Sequence, residues 1–420
     1  MFIQKHTMLS YIKFHIKDRC FNFKKTKTFS VRNTISLVLI ALTLVACNSK
    51  ADISGKLEGV VEKGTKIYLL HPENLKDVAA SFFGKVIDST VVNSDGSFEF
   101  NNIPKTKEPV LLEIAIAVPE KASNYLQTDN QATANFMPIV WKSGKSLKIN
   151  AKVDAFQKSF SMEHPSEVNK ALLALRDVNQ KAYETYLEGK HWELEDGSQL
   201  MEKEHAILQY QTELINFADS TPNLIPALVA TRWVSTANDY ERVPEFLVRQ
   251  CETWKKKQPN HPWAKQLCTL SEPANLPVLV GDSFPDFKFP MITKDTLSLK
   301  EQLGDKLTII DLWASWCAPC RIENREVLVP IWDVYHDKGL QIIAYGLESN
   351  EPAWKAATER DGANRWHQAS HLQGDDTPFL KRIRVKTIPA NFILDDKGVV
   401  LAKNVHGEAL IDWVKNYIKN

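Results

Sequence analysis

The alternation of apolar and polar positions changes character twice along the chain. From Ile53 to about Asp154, short runs repeat with period two: Lys66-Ile-Tyr-Leu-Leu, Lys85-Val-Ile-Asp-Ser-Thr-Val-Val, Ser97-Phe-Glu-Phe and Val110-Leu-Leu-Glu-Ile. Turn signals such as Asn93-Ser-Asp-Gly96 break them. Side chains of a strand point alternately to its two faces, so the pattern predicts a small antiparallel β domain over 47–154. From about Pro165 to Leu270 the period lengthens. Ala171, Leu172, Leu175 and Val178 recur at helical spacing, as do Leu208, Leu214, Ile215 and Phe217. Pro222, Pro226, Pro244 and Pro259 punctuate this section into several helices. Ser271-Glu-Pro-Ala-Asn-Leu-Pro277 reads as a linker, which gives a helical domain and linker over 155–276. The aromatics Tyr183, Tyr186, Trp192, Trp233, Phe246 and Trp254 could line a groove, but at helical spacing they are expected in the core.

The last third, 277–420, carries the chemistry. An apolar, β-branched run from Leu307 to Leu312 predicts a buried strand ending at Trp316, and Ile322, Val327, Leu328, Ile331, Trp332 and Tyr335 then recur at helical spacing. Cys317 and Cys320 stand at the opening of that helix. A thiol there faces unpaired backbone N–H groups and the positive end of the helix dipole, and both favour the thiolate. Two intervening residues let the second thiol reach the first within one turn, so the pair can open and close as a disulfide.

At 420 residues the chain is long enough for two or three domains, and its net charge of +1 gives no support for a nucleic-acid partner. The N-terminus changes the picture more. Basic residues from Lys5 to Arg32 precede an apolar run from Ile35 to Ala46. That run is about a dozen residues, too short to span a bilayer and the right size for the core of a signal peptide over 1–46. Leu44-Val-Ala-Cys47 then resembles the bacterial lipobox, which implies lipidation of Cys47 and a protein held at the membrane, facing an oxidising compartment. Of six cysteines, Cys20 lies in the leader. Cys251 and Cys268 leave two readings: a disulfide, whose loop closure would contribute about 3 kcal/mol, or two buried free thiols. With a single C-x-x-C, a four-cysteine zinc site is not expected.

Four segments of the last third resemble the thioredoxin superfamily, in particular its TlpA/ResA-type thiol-disulfide oxidoreductases. Gly281-Asp-Ser-Phe-Pro-Asp-Phe287 matches the family's opening strand and Ala314-Ser-Trp-Cys-Ala-Pro-Cys-Arg-Ile-Glu323 its active site. Thr387-Ile-Pro389 resembles the cis-proline loop, and Phe392-Ile-Leu-Asp-Asp-Lys-Gly398 the hairpin of the last two strands. The resemblance implies an α/β thioredoxin-like fold, a central mixed sheet with flanking helices, behind the small antiparallel β domain and the helical region. Ile53-Ser-Gly55, Asp88-Ser89 and Asp95-Gly-Ser-Phe-Glu-Phe100 are similar to a domain of unknown function that often precedes TlpA-like domains.

The resemblance also implies roles. Cys317 is the attacking nucleophile and Cys320 resolves the mixed disulfide, with no cofactor beyond that redox-active pair. Asp311 matches a buried aspartate that moves a proton for the resolving cysteine, since a desolvated carboxyl has a raised pKa. Glu323, one turn beyond Cys320, matches a glutamate that tunes the cysteines. Where the family often has a proline, this chain has Arg325, so the usual helix kink is absent or moves to Pro330. Pro389 should be cis and expose the backbone of Ile388 to an extended substrate chain. Trp313 and Trp316 are expected to wall the site, with one of them as packing. His367 and His371 have ligand spacing without a third ligand and are expected as ordinary histidines, with no metal.

Ala-Pro between the cysteines lacks the histidine of DsbA-type oxidants, which favours a reductant of protein disulfides. A reductant in an oxidising compartment needs a membrane electron donor, in this family one of DsbD/CcdA type. Oxidant or isomerase activity is the alternative, and a binding lipoprotein with a secondary redox module is another. A peroxidase is disfavoured because Ser315 and the preceding residues lack the Pro-x-x-x-Thr/Ser-x-x-Cys arrangement.

Overall fold

Residues 51–193 and 199–419 are described by the computed structural model. The expected leader and Cys47 lie outside them. Eight strands form two four-stranded sheets: β1 (Ile53–Glu58), β2 (Lys66–His71), β3 (Lys85–Val91), β4 (Ser97–Phe100), β5 (Val110–Ile116), β6 (Phe136–Trp141), β7 (Leu147–Lys152) and β8 (Ser161–Glu163). Their orders are β4-β1-β7-β8 and β3-β2-β5-β6. All pairs are antiparallel except β1 with β7, and the whole second sheet lies in the crossover between those two. The strands missed by pattern are the later ones. β6, Phe-Met-Pro-Ile-Val-Trp, is buried almost throughout and shows no alternation, while β8 carries its sheet past Asp154. The Asn93–Gly96 turn forms as expected. Gly96 has φ +84°, and a Cβ there would sit 2.2 Å from the Leu57 carbonyl oxygen.

Five helices follow: α1 (Glu167–Tyr186), α2 (Leu200–Ser220), α3 (Leu224–Val234), α4 (Pro244–Lys257) and α5 (Pro262–Leu270). Pro244 and Pro262 open their helices, where a missing N–H costs nothing. Cys251 and Cys268 are disulfide-bonded, tying α4 to α5. One apolar core runs from Ile53 to Leu276 and takes in Trp233, Phe246 and Trp254. Leu208 departs from its expected core position: it is 40% exposed on α2.

A second core spans Phe284 to Ile418. Its sheet contains β11 (Leu307–Trp313), β12 (Leu340–Gly346), β13 (His367–Ala369), β14 (Ala390–Asp395) and β15 (Val400–Lys403), in the order β13-β12-β11-β14-β15. β11 is buried at every position, as its unbroken apolar run requires, and pairs parallel with β12 and antiparallel with β14. The opening strand starts later than expected. Residues 281–287 touch the β15 hairpin through an isolated bridge at Ser283, and the regular strand is β9 (Lys288–Pro290), paired with β10 (Thr296–Ser298). Pro285 has no N–H to offer a ladder there.

The helix after β11 is built in three pieces: α6 (Ala318–Glu323), one π turn (Asn324–Leu328) and α7 (Val329–Tyr335). The irregularity is a π turn that contains Arg325 and ends two residues before Pro330. In a regular helix the Pro330 ring would collide with the carbonyl of Glu326. The preceding turn is instead widened, with Val329 N–H donating to the Asn324 carbonyl five residues back. Helices α8 (Glu351–Arg360), α9 (Pro378–Ile383) and α10 (Gly407–Lys419) complete this part.

Candidate active site

Cys317 is the N-cap of α6, and its sulfur accepts the backbone N–H of Cys320 at 3.3 Å. The two sulfurs are bonded to each other. Cys317 is 6% exposed and Cys320 2%, so the expected order of accessibility holds only slightly and both are nearly covered. The loop before them is held on both sides. Ser315 donates through its N–H and its hydroxyl to the carboxylate of Glu348, which is itself buried. Arg321 donates to the Ser315 carbonyl at 3.2 Å and grips the fully buried carboxylate of Asp361, which also takes Arg325 at 3.0 Å. Paired charges of this kind fix the loop's geometry. Glu348 and Asp361 lie 33 and 40 residues away from their partners, and nothing in their local sequence signals the contact.

Asp311 occupies the fifth position of β11, the strand that leads into the cysteine loop, and is 4% exposed. Burial, and secondly the nearby charge of Glu323, push its carboxyl well above the usual aspartate range. Glu323 is buried as well, on the same helix as Cys320. Its carboxylate meets His406 Nδ1 at 2.8 Å and accepts the Gly407 N–H at 3.3 Å. Its partner His406 sits in the turn between β15 and α10 and carried no signal in the sequence.

The peptide bond between Ile388 and Pro389 is cis. The loop that contains it is gripped by the segment between α3 and α4. Glu241 accepts the N–H groups of Lys386 at 3.1 Å and Thr387 at 3.2 Å. Arg242 donates to the Pro389 carbonyl at 3.2 Å, to Asn404 at 2.9 Å and to Glu204 at 3.2 Å. Neither residue carried a motif. The two tryptophans separate: Trp313 is fully buried packing, while Trp316 is 64% exposed next to Cys317. His371 Nδ1 meets the Tyr345 hydroxyl at 2.6 Å, and burial holds both His367 and His371 below the usual histidine pKa. Among the described residues no group of three or more His, Cys, Asp or Glu side chains is placed to hold a metal.

Residues 279–414 match the redoxin family. Over 141 residues the chain is 26% identical to the thiol:disulfide interchange protein DsbE of Pseudomonas fluorescens biotype C, covering 32% of this chain and 71% of that protein. It is 33% identical over 75 residues to the thiol-disulfide oxidoreductase ResA of Oceanobacillus iheyensis, covering 17% of this chain and 38% of that protein. Among solved structures, a thiol-disulfide oxidoreductase from Bacteroides fragilis is 28% identical, covers 32% of this chain and 98% of its own, and superposes with a TM-score of 0.30.

Proposed function

From the premise that the C-terminal third is a redoxin, thioredoxin-like thiol-disulfide oxidoreductase domain of the DsbE/ResA kind, we propose that the protein reduces disulfides of other proteins at the cell envelope. The observation that carries this reading is the bonded Cys317–Cys320 pair at a helix N-terminus; the buried Asp311, on the strand that leads into that helix and with its pKa raised, supports it. The reduced pair starts the reaction. Cys317 thiolate attacks one sulfur of the substrate disulfide, and the other leaves as a thiolate that takes up a proton. Cys320 then gives its proton to Asp311 and attacks the Cys317 sulfur. The substrate's second sulfur leaves as a thiolate that takes this proton from Asp311, and the Cys317–Cys320 disulfide forms. Two electrons have passed to the substrate, and a membrane dithiol donor of DsbD/CcdA type would return them. Exposed Trp316 and the backbone of Ile388 before Pro389 would hold the substrate chain, and Glu323 would tune the proton transfer.

We assign the division 47–154, 155–276 and 277–420 to spacing, recognition and redox chemistry, with lipidated Cys47 as the anchor after removal of 1–46. Among the described residues no helix is long and apolar enough to cross a membrane. The test is insulin reduction with dithiothreitol. Wild type accelerates it, Cys317→Ser does not, and Cys320→Ser accumulates a mixed disulfide. Equilibration with glutathione should give a potential near that of thioredoxin, about −270 mV; a value near that of DsbA, about −120 mV, would reverse the direction.

A further inference from the structure

A cavity of about 770 Å³ opens between the helical part and the redox site. One wall belongs to the cysteine-bearing helix, through Pro319, Ile322, Glu323, Glu326 and Val327. The facing wall is α2, through Met201, Ile207 and Leu208. Thr387, which precedes Ile388 in the cis-proline loop, and Pro319, which lies between the two cysteines in sequence, both line it, so the cavity borders the redox site. The Glu241 and Arg242 contacts to residues 386–389 hold that loop against the helical part.

The lining has a definite chemistry. Its walls are apolar, and this explains why Leu208 is left exposed on α2. Around them stand six carboxylates, Glu202, Glu204, Asp239, Glu241, Glu323 and Glu326, with Arg242, His205 and His406. Glu204 meets Arg242, Glu323 meets His406 and Glu241 accepts backbone N–H groups, which leaves Glu202, Asp239 and Glu326 facing the groove. Arg242 is already engaged by Glu204, Asn404 and the Pro389 carbonyl. Glu202 on α2 and Glu326 on the redox helix are exposed, one on each wall. The chain as a whole carries +1, so this negative field belongs to the groove and not to the molecule.

We propose that the cavity is the docking groove for the substrate polypeptide, and that it selects a segment in which apolar and basic side chains flank the disulfide. The inference rests on the exchange activity proposed above and adds the substrate class. Apolar side chains fill the walls and cations meet the exposed carboxylates, so the helical part sets which disulfides reach Cys317.

The test compares two disulfide-bridged peptides of equal length and equal apolar content, one flanked by lysines and one by glutamates, with neutral hydroxyethyl disulfide as a third substrate. At low ionic strength the full-length wild type should favour the lysine peptide in kcat/KM by about tenfold, the effect of a few exposed charge contacts of either sign. Salt at about 0.5 M should bring the ratio towards one. In the double variant Glu202→Lys, Glu326→Lys the ratio should fall to one or invert; the wild-type salt series carries the test without it. Equal kcat/KM for the two peptides, with hydroxyethyl disulfide turned over, overturns the groove and leaves the exchange activity standing. A lysine preference that survives intact in the double variant also overturns it. If none of the three disulfides is turned over, the exchange reading fails and the groove proposal with it.

Discussion

Replacing Asp311 with asparagine should stabilise the redox part of the fold, by an amount that grows with pH. Asp311 pairs with Ala344 of β12 on one side and Asn391 of β14 on the other, in the middle of the sheet. Burial comes first and the charge of Glu323 second in raising its pKa, and both favour the neutral carboxyl. An acid whose pKa is higher folded than unfolded binds its proton more tightly in the folded chain. Its stabilising effect is therefore complete at low pH and is lost as pH climbs from the unfolded value of 3.8 towards the folded one. Asparagine has nearly the same shape and does not titrate. The variant and wild type should thus agree near pH 4. They should then diverge by up to about 1.4 kcal/mol per pH unit until the folded pKa is passed.

Hydrogen exchange of β11 amides in the oxidised full-length chain reads this core separately from the other one. Opening free energies would be taken from pH 4 to 8 after correction for intrinsic exchange. The pH at which the gap levels off is the folded pKa of Asp311. Turnover should move in the opposite direction, because asparagine cannot take the Cys320 proton. Parallel wild-type and variant curves across the whole range would mean that Asp311 ionises as it does in water, and the proton-acceptor role would go with it.

Glu323→Gln removes the charge that Asp311 feels, so the same titration should level off at lower pH; an unmoved plateau would show that the two carboxyls do not interact. Cys251→Ser or Cys268→Ser opens a bridge spanning 17 residues and should cost about 3 kcal/mol of stability in the first core. Calorimetry that finds the variant melting with wild type would remove that role. Cys47→Ala should release the protein from the membrane fraction, and a wild-type protein recovered soluble and unlipidated would end the anchor proposal.

What the sequence made legible was local. The buried strand β11, the cysteines at a helix start, the Asn93–Gly96 turn and the last hairpin all follow from side-chain period and turn chemistry within a few residues. β6 escaped because a strand buried on both faces has no alternation to detect. Glu323 was visible as a motif position, yet whether it faced water or protein depended on His406, 83 residues away. The same holds for Glu241 and Arg242. A Glu-Arg pair in a polar loop reads as solvated surface, and only the docking of the first core's helices against residues 386–389 gives it partners, 145 or more residues distant.

The helix that carries the cysteines shows how such distant contacts bear on the site. Arg325 supplies a second cation that joins Arg321 on the buried Asp361. It also stands inside the π turn that precedes Pro330. A π turn rotates every following residue relative to α-helical register, so the face offered by residues 324–328 is set by where that turn falls. Glu326 and Val327 lie inside it, and both line the groove shared with α2. Arg325 therefore connects the anchoring of the active-site loop through Arg321 and Asp361 with the surface proposed to meet a substrate. Arg325→Pro would withdraw the cation from Asp361 and remove a backbone N–H within the π turn, altering both at once.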